Sequence, residues 1–526
     1  MSNAEWRKWQ VSLPHTSTLT KAGLMGRVVV VSNRVMDPAL AAQAGGVAVA
    51  ISDMLQSHGG LWFGWSGSVQ QDVDASAEVT QATESVSIAT VALTPKEHQG
   101  YYLGYANSVL WPVFHNRLDL AQFEAGFFET YVSVNKRFAA SLLPFLTPGD
   151  TIWIHDYHLV PLAAELRALG VTNPIGFFLH IPFPPAQTFL AIPEHKQLAR
   201  MLAAYDLVGV QTQGDVANML DYLKHGVRGR ILQDGRIRAF DRILSIRSFP
   251  VSIDPREFMA AKPRPGLAQG GPTARRIIGV DRLDYTKGLP QKFQAFARFL
   301  DRYPRNCGNV VLTQIAPPTR ESVEAYTDIR TQLETLAGSI NGQFGELDWV
   351  PIHYIHRSLP RDLLADIYRS ARIGLVTPMR DGMNLVAKEY VVSQDPSDPG
   401  VLILSRFAGA AERLTEALIV NPYNVDEIAD AIETALQMGR EERIRRHAAM
   451  IKTIYDYDTF AWSRAFLEAL SNTRAEHEQA SGGPPSAELR SKLRQLARRS
   501  DTPPDVEGSP PPGSARPRTS SPTRSA

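Results

Sequence analysis

The sequence predicts an α/β protein in which two doubly wound, parallel-sheet domains face a central cleft. Its 526 residues exceed what one compact core usually holds, since domains average about 100–200 residues. Short apolar runs alternate with amphipathic stretches along most of the chain, a pattern typical of strands joined by crossover helices. These runs are continuous rather than alternating, as in strands that helices cover on both faces.

Each predicted strand is a short run rich in Val, Ile and Leu. In chain order the strands cover residues 28–31, 151–154, 175–179, 207–210, 276–280, 310–315, 350–355, 373–377, 401–405 and 417–420. Many of these runs are followed by an amphipathic stretch, which predicts a helix. In chain order the helices cover residues 47–56, 159–169, 215–224, 290–301, 320–337, 361–370, 384–393 and 425–437.

The ends of the chain and one internal stretch differ in composition from the rest. Residues 1–26 are polar and mixed, and we expect a disordered leader. The alternation thins between about residues 227 and 270, where prolines and glycines cluster, and this stretch is the predicted hinge. Residues 479–526 are rich in Pro, Ser and Arg and cannot bury enough apolar surface to fold, so we expect a disordered tail.

Charge and cysteine content exclude several classes of function. Lys and Arg number 55 and Asp and Glu 54, which leaves a net charge of +1 and argues against nucleic acid or an anionic membrane as partner. Cys307 is the single cysteine, so neither an intramolecular disulfide nor a cysteine zinc cluster can form. With no apolar run of the roughly 18–20 residues that span a bilayer, we predict a cytoplasmic protein.

The loop at residues 281–288 carries two cations between a predicted strand and a predicted helix. Arg282 and Lys287 are five residues apart on a loop that ends in Gly288, so both can face a ligand phosphate. The alternative is a solvated basic loop. Its position at a strand end, where open α/β sheets bind ligands, favours phosphate binding.

A second strand-to-helix junction lies at residues 377–389. The helix is predicted to begin near Asn384, and the free N–H groups of such a helix start form an anion site. Glu389 lies four residues after Leu385 on the same helix face and could take ribose hydroxyls. The alternative is that Asp381 only caps the helix and Glu389 is a surface charge.

The other candidates are weaker when taken alone. Gly45 and Gly46 follow the first strand and would let backbone approach a ligand. Neither the dinucleotide-binding glycine fingerprint nor a phosphate-binding P-loop is present, which disfavours a dehydrogenase or a P-loop enzyme. His155, Asp156 and His158 lack a third metal ligand at helical spacing, so we expect no metal there.

Several long stretches together carry a resemblance to a known family. They are residues 61–67, 110–112, 114–119, 153–159, 281–288, 313–317 and 381–390. Over about residues 27–474 the chain resembles the trehalose-6-phosphate synthases, retaining glycosyltransferases of the GT-B fold with two Rossmann-like domains. The resemblance implies an N-terminal acceptor domain at residues 27–250 and a C-terminal nucleotide-sugar domain at residues 251–478. The last helix of the second domain is expected to cross back to the first domain.

The resemblance implies transfer of glucose from UDP-glucose to glucose 6-phosphate, which gives trehalose 6-phosphate and UDP. The implied catalytic residues are Arg282, Lys287, Asp381 and His180. The implied donor-binding residues are Gly45, Gly46, Arg282, Lys287, Leu359, Asp381, Leu385, Val386, Ala387, Lys388 and Glu389. The implied acceptor-binding residues are Arg34, Tyr102, Trp111, Asp156 and Arg320. Two positions depart from the family. Leu359 stands where some members have Phe, and Phe128 stands where Trp is common.

The family is thought to react by front-face attack, with the acceptor proton passing to the leaving diphosphate. No carboxylate pair with glycosidase roles is evident, so positioning and charge stabilisation would carry the reaction. Arg282 and Lys287 would then replace a metal, and we expect neither a metal nor a cofactor. The expected partners are the two small-molecule substrates, with no nucleic acid and no membrane. Assembly into a homo-oligomer stays open.

Three other functions stay open at this point. The chain could use another acceptor, as a glucosylglycerol phosphate synthase does, or another donor such as GDP-glucose or ADP-glucose. It could also be a non-catalytic sensor of sugar phosphates. A sensor would be expected to lack some of Arg282, Lys287, Asp381 and Glu389, and all four are present.

Overall fold

The computed structural model describes residues 26–35, 51, 54–55, 59–73, 77–81, 83, 85–259, 275–319 and 324–480. The predicted leader up to residue 25, most of the predicted helix at 47–56 and the tail from residue 481 lie outside the described residues, as do Gly45, Gly46 and Arg320. By contacts the chain divides into Met1–Arg474 and Ala475–Ala526. Both sheets belong to the first of these units, and only residues 475–480 of the second are described.

The strands of the first sheet are β1 (Val28–Arg34), β2 (Gly60–Val69), β3 (Glu78–Gln81), β4 (Val86–Leu93), β5 (Thr151–His155), β6 (Ile175–Phe178), β7 (Leu207–Val210), β8 (Arg230–Ile231), β9 (Ile237–Ala239) and β10 (Arg242–Ser248). They form a 10-stranded sheet in the order β3-β4-β2-β1-β5-β6-β7-β10-β9-β8. The seven strands from β4 to β10 in this order pair in parallel, and β3, β9 and β8 add antiparallel edges.

The second sheet is parallel throughout. Its strands are β11 (Arg275–Val280), β12 (Val310–Ile315), β13 (Ile352–Ile355), β14 (Ile373–Val376), β15 (Val401–Ser405) and β16 (Leu418–Val420). Their order is β13-β12-β11-β14-β15-β16, with β11 and β14 adjacent. The predicted α/β class with two parallel-sheet domains is therefore confirmed.

The described helices cover both sheets. They are α1 (Pro95–Glu97), α2 (Trp111–Phe114), α3 (Phe127–Leu142), α4 (Leu162–Ala168), α5 (Ala186–Phe189), α6 (His195–Leu202), α7 (Gln213–Gly226), α8 (Pro255–Met259), α9 (Leu289–Arg302), α10 (Glu324–Phe344), α11 (Arg361–Ser370), α12 (Leu385–Ser393), α13 (Val425–Gln437), α14 (Arg440–Asp456) and α15 (Thr459–Ala480). A π-helix, His98–Leu110, leads directly into α2. Among the described helices, none combines the length and the apolar composition that a membrane-spanning segment needs.

Agreement with the predicted elements is closest where the local pattern is strong. Strands β7, β12 and β15 and helices α11 and α13 have the predicted bounds. The prediction missed β2, β4, α3 and the π-helix. The prediction that residues 227–270 contain few elements was wrong. Strands β8, β9 and β10 lie in this interval, and β10 pairs in parallel with β7.

One apolar core is shared by the two sheets. It combines Val30 and Trp153 of the first sheet with Ile278 of the second and with Trp462 and Phe466 of α15. The outward face of each sheet has a separate apolar cluster. Because the shared core is continuous, the two sheets are not independent of one another.

Phe466 of α15 reaches the first sheet. Its ring stacks on that of Trp153, with the ring centroids 4.6 Å apart and an interplanar angle of 12°. Gly176 of β6 and Gly209 of β7 leave room for it, because a Cβ atom at either position would lie 2.7 Å from the Phe466 ring. Two strands therefore carry glycine where α15 packs.

We predict that Gly209→Ala destabilises the protein by about 1–3 kcal/mol, because the added methyl group would overpack the core against Phe466. Gly338→Ala is the matched control: this glycine lies in α10 with open space around its Cβ position, so alanine should stabilise the helix by about 0.5–1 kcal/mol. Melting temperatures measure both effects. Equal shifts in the two variants would contradict the packing argument.

Candidate functional site

The candidate site lies where the strand order of each sheet reverses. In the first sheet the chain runs outward from β1 through β2 to β4 and then continues on the other side of β1 with β5. In the second sheet it runs from β11 to β13 and resumes beside β11 with β14. Ligands of open α/β sheets bind at the carboxyl ends of strands at such reversals. The loops after β1, β5, β11 and β14 carry most of the predicted site residues.

The loop after β11 is held by buried polar contacts. Lys292 Nζ lies 2.6 Å from Asp281 Oδ2, and both side chains are at most 2% exposed. The Asp284 carboxylate accepts hydrogen bonds from the Thr286 N–H at 2.9 Å and the Tyr326 hydroxyl at 3.2 Å. These contacts satisfy the two buried carboxylates and tie the loop to α9 and α10.

The two cations of that loop take different positions. Lys287 is buried, and its Nζ lies 2.5 Å from Asp381 Oδ2. Arg282 is exposed, and its Cζ lies 5.7 Å from the ring centroid of Trp111 in the first domain. The structure thus places both cations at the cleft, with Arg282 reaching across it.

The helix start after β14 excludes the alternative in which Asp381 only caps the helix. Asn384 caps α12 with φ 73°, and its side chain accepts a hydrogen bond from the Ala387 N–H at 3.3 Å. Asp381 does not cap the helix; its carboxylate instead accepts from Lys287 and, at 3.1 Å, from Asn384 Nδ2. Leu385 and Val386 are half-buried in the first turn of α12.

Glu389 lies one turn into α12 and is buried rather than a surface charge. The Tyr368 hydroxyl donates to its Oε2 at 3.3 Å, and Arg361 Nη2 lies 3.9 Å from its Oε1. Burial raises the pKa of Glu389, and Arg361 opposes that shift. Leu359 is half-buried just before α11 and packs against the shared core.

The side chain of Lys388 is buried and bound to the segment after β10. Its Nζ donates to the Val251 carbonyl at 2.6 Å, and burial lowers its pKa to about 7. Because its ammonium group is engaged there, a donor contact at this position falls to its main chain.

The first domain contributes His180 at the end of β6. Its Nε2 lies 3.0 Å from His155 Nδ1, and its N–H donates to Asp156 Oδ1 at 3.1 Å. Asp156 has φ 76°, which is uncommon outside glycine and often marks functional positions. Burial lowers the pKa of His180 to about 3 and that of His155 well below its usual value, so both rings are neutral.

His155 was considered only as a metal ligand, and its contact with His180 was missed. Within the described ranges no group of three or more His, Cys, Asp or Glu side chains could hold a metal ion. The adjacent strand ends carrying the two histidines were the available signal, since β5 and β6 pair in parallel.

A second cluster of side chains surrounds Trp65 of β2. The Arg34 Cζ lies 5.9 Å from the Trp65 ring centroid, and the Tyr102 ring centroid lies 5.3 Å from it. Tyr102 also stacks on His158, with centroids 5.8 Å apart. Arg34 and Tyr102 therefore meet on one aromatic surface. The sequence did not reveal that Trp65 contacts both Arg34 and Tyr102, although residues 61–67 were among the stretches that carry the resemblance.

Trp111 closes this part of the site. It is 4% exposed in α2, and its ring centroid lies 4.2 Å from that of His115. Burial lowers the pKa of His115 to about 4. Direct contacts thus join Lys287 to Asp381 and Arg282 to Trp111, while Arg34 and Tyr102 meet on the ring of Trp65.

The family model described as glycosyltransferase family 20 matches residues 27–472. The chain belongs to glycosyltransferase family 20. This confirms the resemblance drawn from the motifs. A relative named trehalose-6-phosphate synthase, from Klebsiella pneumoniae subsp. pneumoniae, is 48% identical over 463 residues, which are 87% of this chain and 97% of the relative.

Solved structures of similar proteins agree with the fold. An α,α-trehalose-phosphate synthase (UDP-forming) from Burkholderia xenovorans, in complex with glucose-6-phosphate, matches with a TM-score of 0.80 and 45% identity. The match covers 85% of this chain and 100% of that one. A protein from E. coli bound with UDP-2-fluoro glucose matches with a TM-score of 0.81 and 46% identity, covering 85% and 99%.

Burial of the site histidines predicts that stability falls in acid. His115, His155 and His180 have folded pKa values below the unfolded value of about 6.5, so the unfolded state binds more protons below that pH. Stability present above about pH 6.5 should be lost as the pH falls, by up to about 1.4 kcal/mol per pH unit for each group.

Melting temperatures at about pH 7 and about pH 5 measure this loss. The difference between the melting temperatures at these two pH values should be smaller in His115→Gln, because this variant lacks one buried group that takes up a proton on unfolding. His225→Gln is the control, because that side chain is 64% exposed. An unchanged difference in His115→Gln would contradict the assignment.

Proposed function

We propose that this chain is a retaining glucosyltransferase that makes trehalose 6-phosphate and UDP from UDP-glucose and glucose 6-phosphate. The observation that carries the proposal is the meeting of two half-sites at the two strand reversals of a family 20 fold. One half-site belongs to the second domain, where Lys287 Nζ lies 2.5 Å from Asp381 Oδ2. The other belongs to the first domain, and Arg282 reaches it by contact with the ring of Trp111. Similar proteins carry this activity in their names.

The second domain binds UDP-glucose. Arg282 and Lys287 neutralise the diphosphate, and the N–H groups at the start of α12, from Leu385 to Ala387, receive its oxygens. Glu389 accepts hydrogen bonds from the ribose hydroxyls, and its contact with Tyr368 fixes its orientation. Gly45, Gly46, Leu359 and the Lys388 backbone complete the donor-binding set.

The first domain binds glucose 6-phosphate. Arg34 and Tyr102, which share contact with Trp65, receive the phosphate together with Arg320. Asp156 accepts a hydrogen bond from an acceptor hydroxyl, and Trp111 sets the angle at which the acceptor sugar meets the donor.

The reaction exchanges one bond at the anomeric carbon of the donor. The acceptor's anomeric hydroxyl oxygen attacks that carbon from the face on which the carbon–diphosphate oxygen bond breaks, and the hydroxyl proton passes to the leaving oxygen. Arg282 and Lys287 stabilise the charge that develops there. His180, neutral because burial lowers its pKa to about 3, positions the donor glucose with Asp381 by hydrogen bonding. These residues require no metal and no cofactor.

The domain boundaries belong to the same proposal. An acceptor domain spans residues 27–250 and a nucleotide-sugar domain residues 251–478, with the last helix returning to the first domain. The stacking of Phe466 on Trp153 supports that return. We assign the enzyme to the cytoplasm, a reducing compartment that fits the single Cys307.

The test is release of nucleoside diphosphate across a panel of donors and acceptors. UDP-, GDP- and ADP-glucose are each offered with glucose 6-phosphate, glycerol 3-phosphate and glucose. We expect the highest kcat/KM for UDP-glucose with glucose 6-phosphate. Lys287→Ala should lower it by about 10²–10³-fold, the usual loss for a transition-state charge stabiliser. A higher value for another pair would replace the proposed substrates, and binding without turnover would indicate a sensor.

Arg34→Ala should lower kcat/KM for glucose 6-phosphate by about 10–100-fold, because one charge-assisted hydrogen-bonding group for the phosphate is lost. Turnover of glucose should change much less, and calorimetry should find UDP affinity nearly unchanged. Arg200→Ala is the matched control, since Arg200 also lies over an aromatic ring, that of Phe240 at 5.2 Å. Equal losses on both acceptors would contradict phosphate recognition by Arg34.

A further inference from the structure

Gln211 follows β7 and uses both ends of its buried amide. Its Oε1 accepts a hydrogen bond from the Val251 N–H at 3.0 Å, and its Nε2 donates to the His180 carbonyl at 3.3 Å. The residue is 2% exposed. One side chain of the first domain therefore connects the His180 turn to the segment that leaves the first sheet after β10.

Val251 is held from the opposite direction as well. Its carbonyl accepts from Lys388 Nζ at 2.6 Å, and Lys388 lies in α12, the helix whose start faces the cleft. Both main-chain polar groups of Val251 are thus bound by side chains, one from each domain. Removing either partner would leave a buried main-chain group without its hydrogen bond.

The His180 end of this chain of contacts meets the second domain again. A Cβ atom at Gly382 would overlap the His180 carbonyl oxygen, so the two main chains touch there. The same carbonyl accepts from Gln211, while the His180 N–H is held by Asp156. A displacement of Val251 would therefore reach His180 and, beyond it, the residue next to Asp381.

We propose that Gln211 is a positioning residue for glucosyl transfer, which holds the His180 turn in register with α12 through Val251 and Lys388. The inference rests on the proposed function, because it assumes that His180 contacts the donor sugar. Gln211 itself touches neither substrate. Since a misplacement of about 1 Å can cost 10²-fold in rate, loss of this connection should appear mainly in kcat.

Gln211→Met keeps the length of the side chain and removes both hydrogen bonds. We expect kcat for UDP release to fall by about 10–100-fold while UDP affinity, read by calorimetry, changes less than about threefold. Asn173→Leu is the matched control. Asn173 Nδ2 also donates to two carbonyls, those of Thr147 and Asp150 at 2.8 Å, at the amino-terminal ends of β5 and β6. Equal kcat losses in the two variants would overturn the proposal.

A double-mutant cycle with Lys388→Met separates positioning from general destabilisation. Gln211 and Lys388 act on the same residue, Val251, so the kcat loss of the double variant should be smaller than the product of the single losses. A simple product would mean that the two residues act independently and would overturn the connection.

Hydrogen exchange supplies a measurement that needs no variant. The Val251 amide should exchange slowly in the unsubstituted protein and more slowly still with UDP bound, because α12 and Val251 are joined. Fast exchange, or no change with UDP, would contradict the proposal. If the unsubstituted protein releases no UDP, the proposed function fails; if it does and Gln211→Met behaves like Asn173→Leu, only this inference fails.

Discussion

Main-chain contact between Gly382 and His180 determines how the two sheets meet. Glycine is required because any side chain would overlap the His180 carbonyl oxygen. Gly409 packs equally closely on the Gly382 carbonyl, so the main chain at Gly382 lies between those of His180 and Gly409. His180 follows β6 of the first sheet and Gly382 follows β14 of the second, so this contact holds the strand ends of the two sheets close together.

The electrostatics of the cleft follow from the burial of its ionisable side chains. Removing imidazoles from water disfavours their charged form, which is why burial lowers the pKa values of His115, His155 and His180. Lys287 is buried too, but it lies beside Asp381 and so keeps a charged partner. The cleft therefore holds neutral histidines for hydrogen bonding, and its positive charge comes from arginines and from Lys287.

The connection between the sheets is part of the site rather than a passive linker. Val251 is bound by a side chain from each domain, and Thr459 at the start of α15 donates its N–H to the Ile253 carbonyl. Phe466, further along α15, packs into the space left by two strand glycines. Contacts distant in sequence thus hold the segment where a hinge was predicted.

The sequence by itself determined the α/β class, the main parallel strands and the loops that carry the site. Those properties depend on local pattern: a continuous apolar run specifies a buried strand, and polar residues at its end specify which edge binds ligand. Strand β2 escaped prediction because its run from Gly60 mixes glycine and serine with aromatic residues. Strand β10 lay in an interval whose prolines and glycines suggested only loop.

Only the tertiary structure decided where the site side chains point. Lys388 and Glu389 are adjacent in sequence, yet one donates to Val251 and the other is held by Tyr368. Asn384 rather than Asp381 caps α12, and Arg282 reaches Trp111 in the other domain. The physical reason is that spacing along the chain fixes a residue's place on a strand end or helix turn. The direction of its side chain depends on partners from other elements, 21 residues away for Glu389 and 137 for Lys388, which only packing brings within reach.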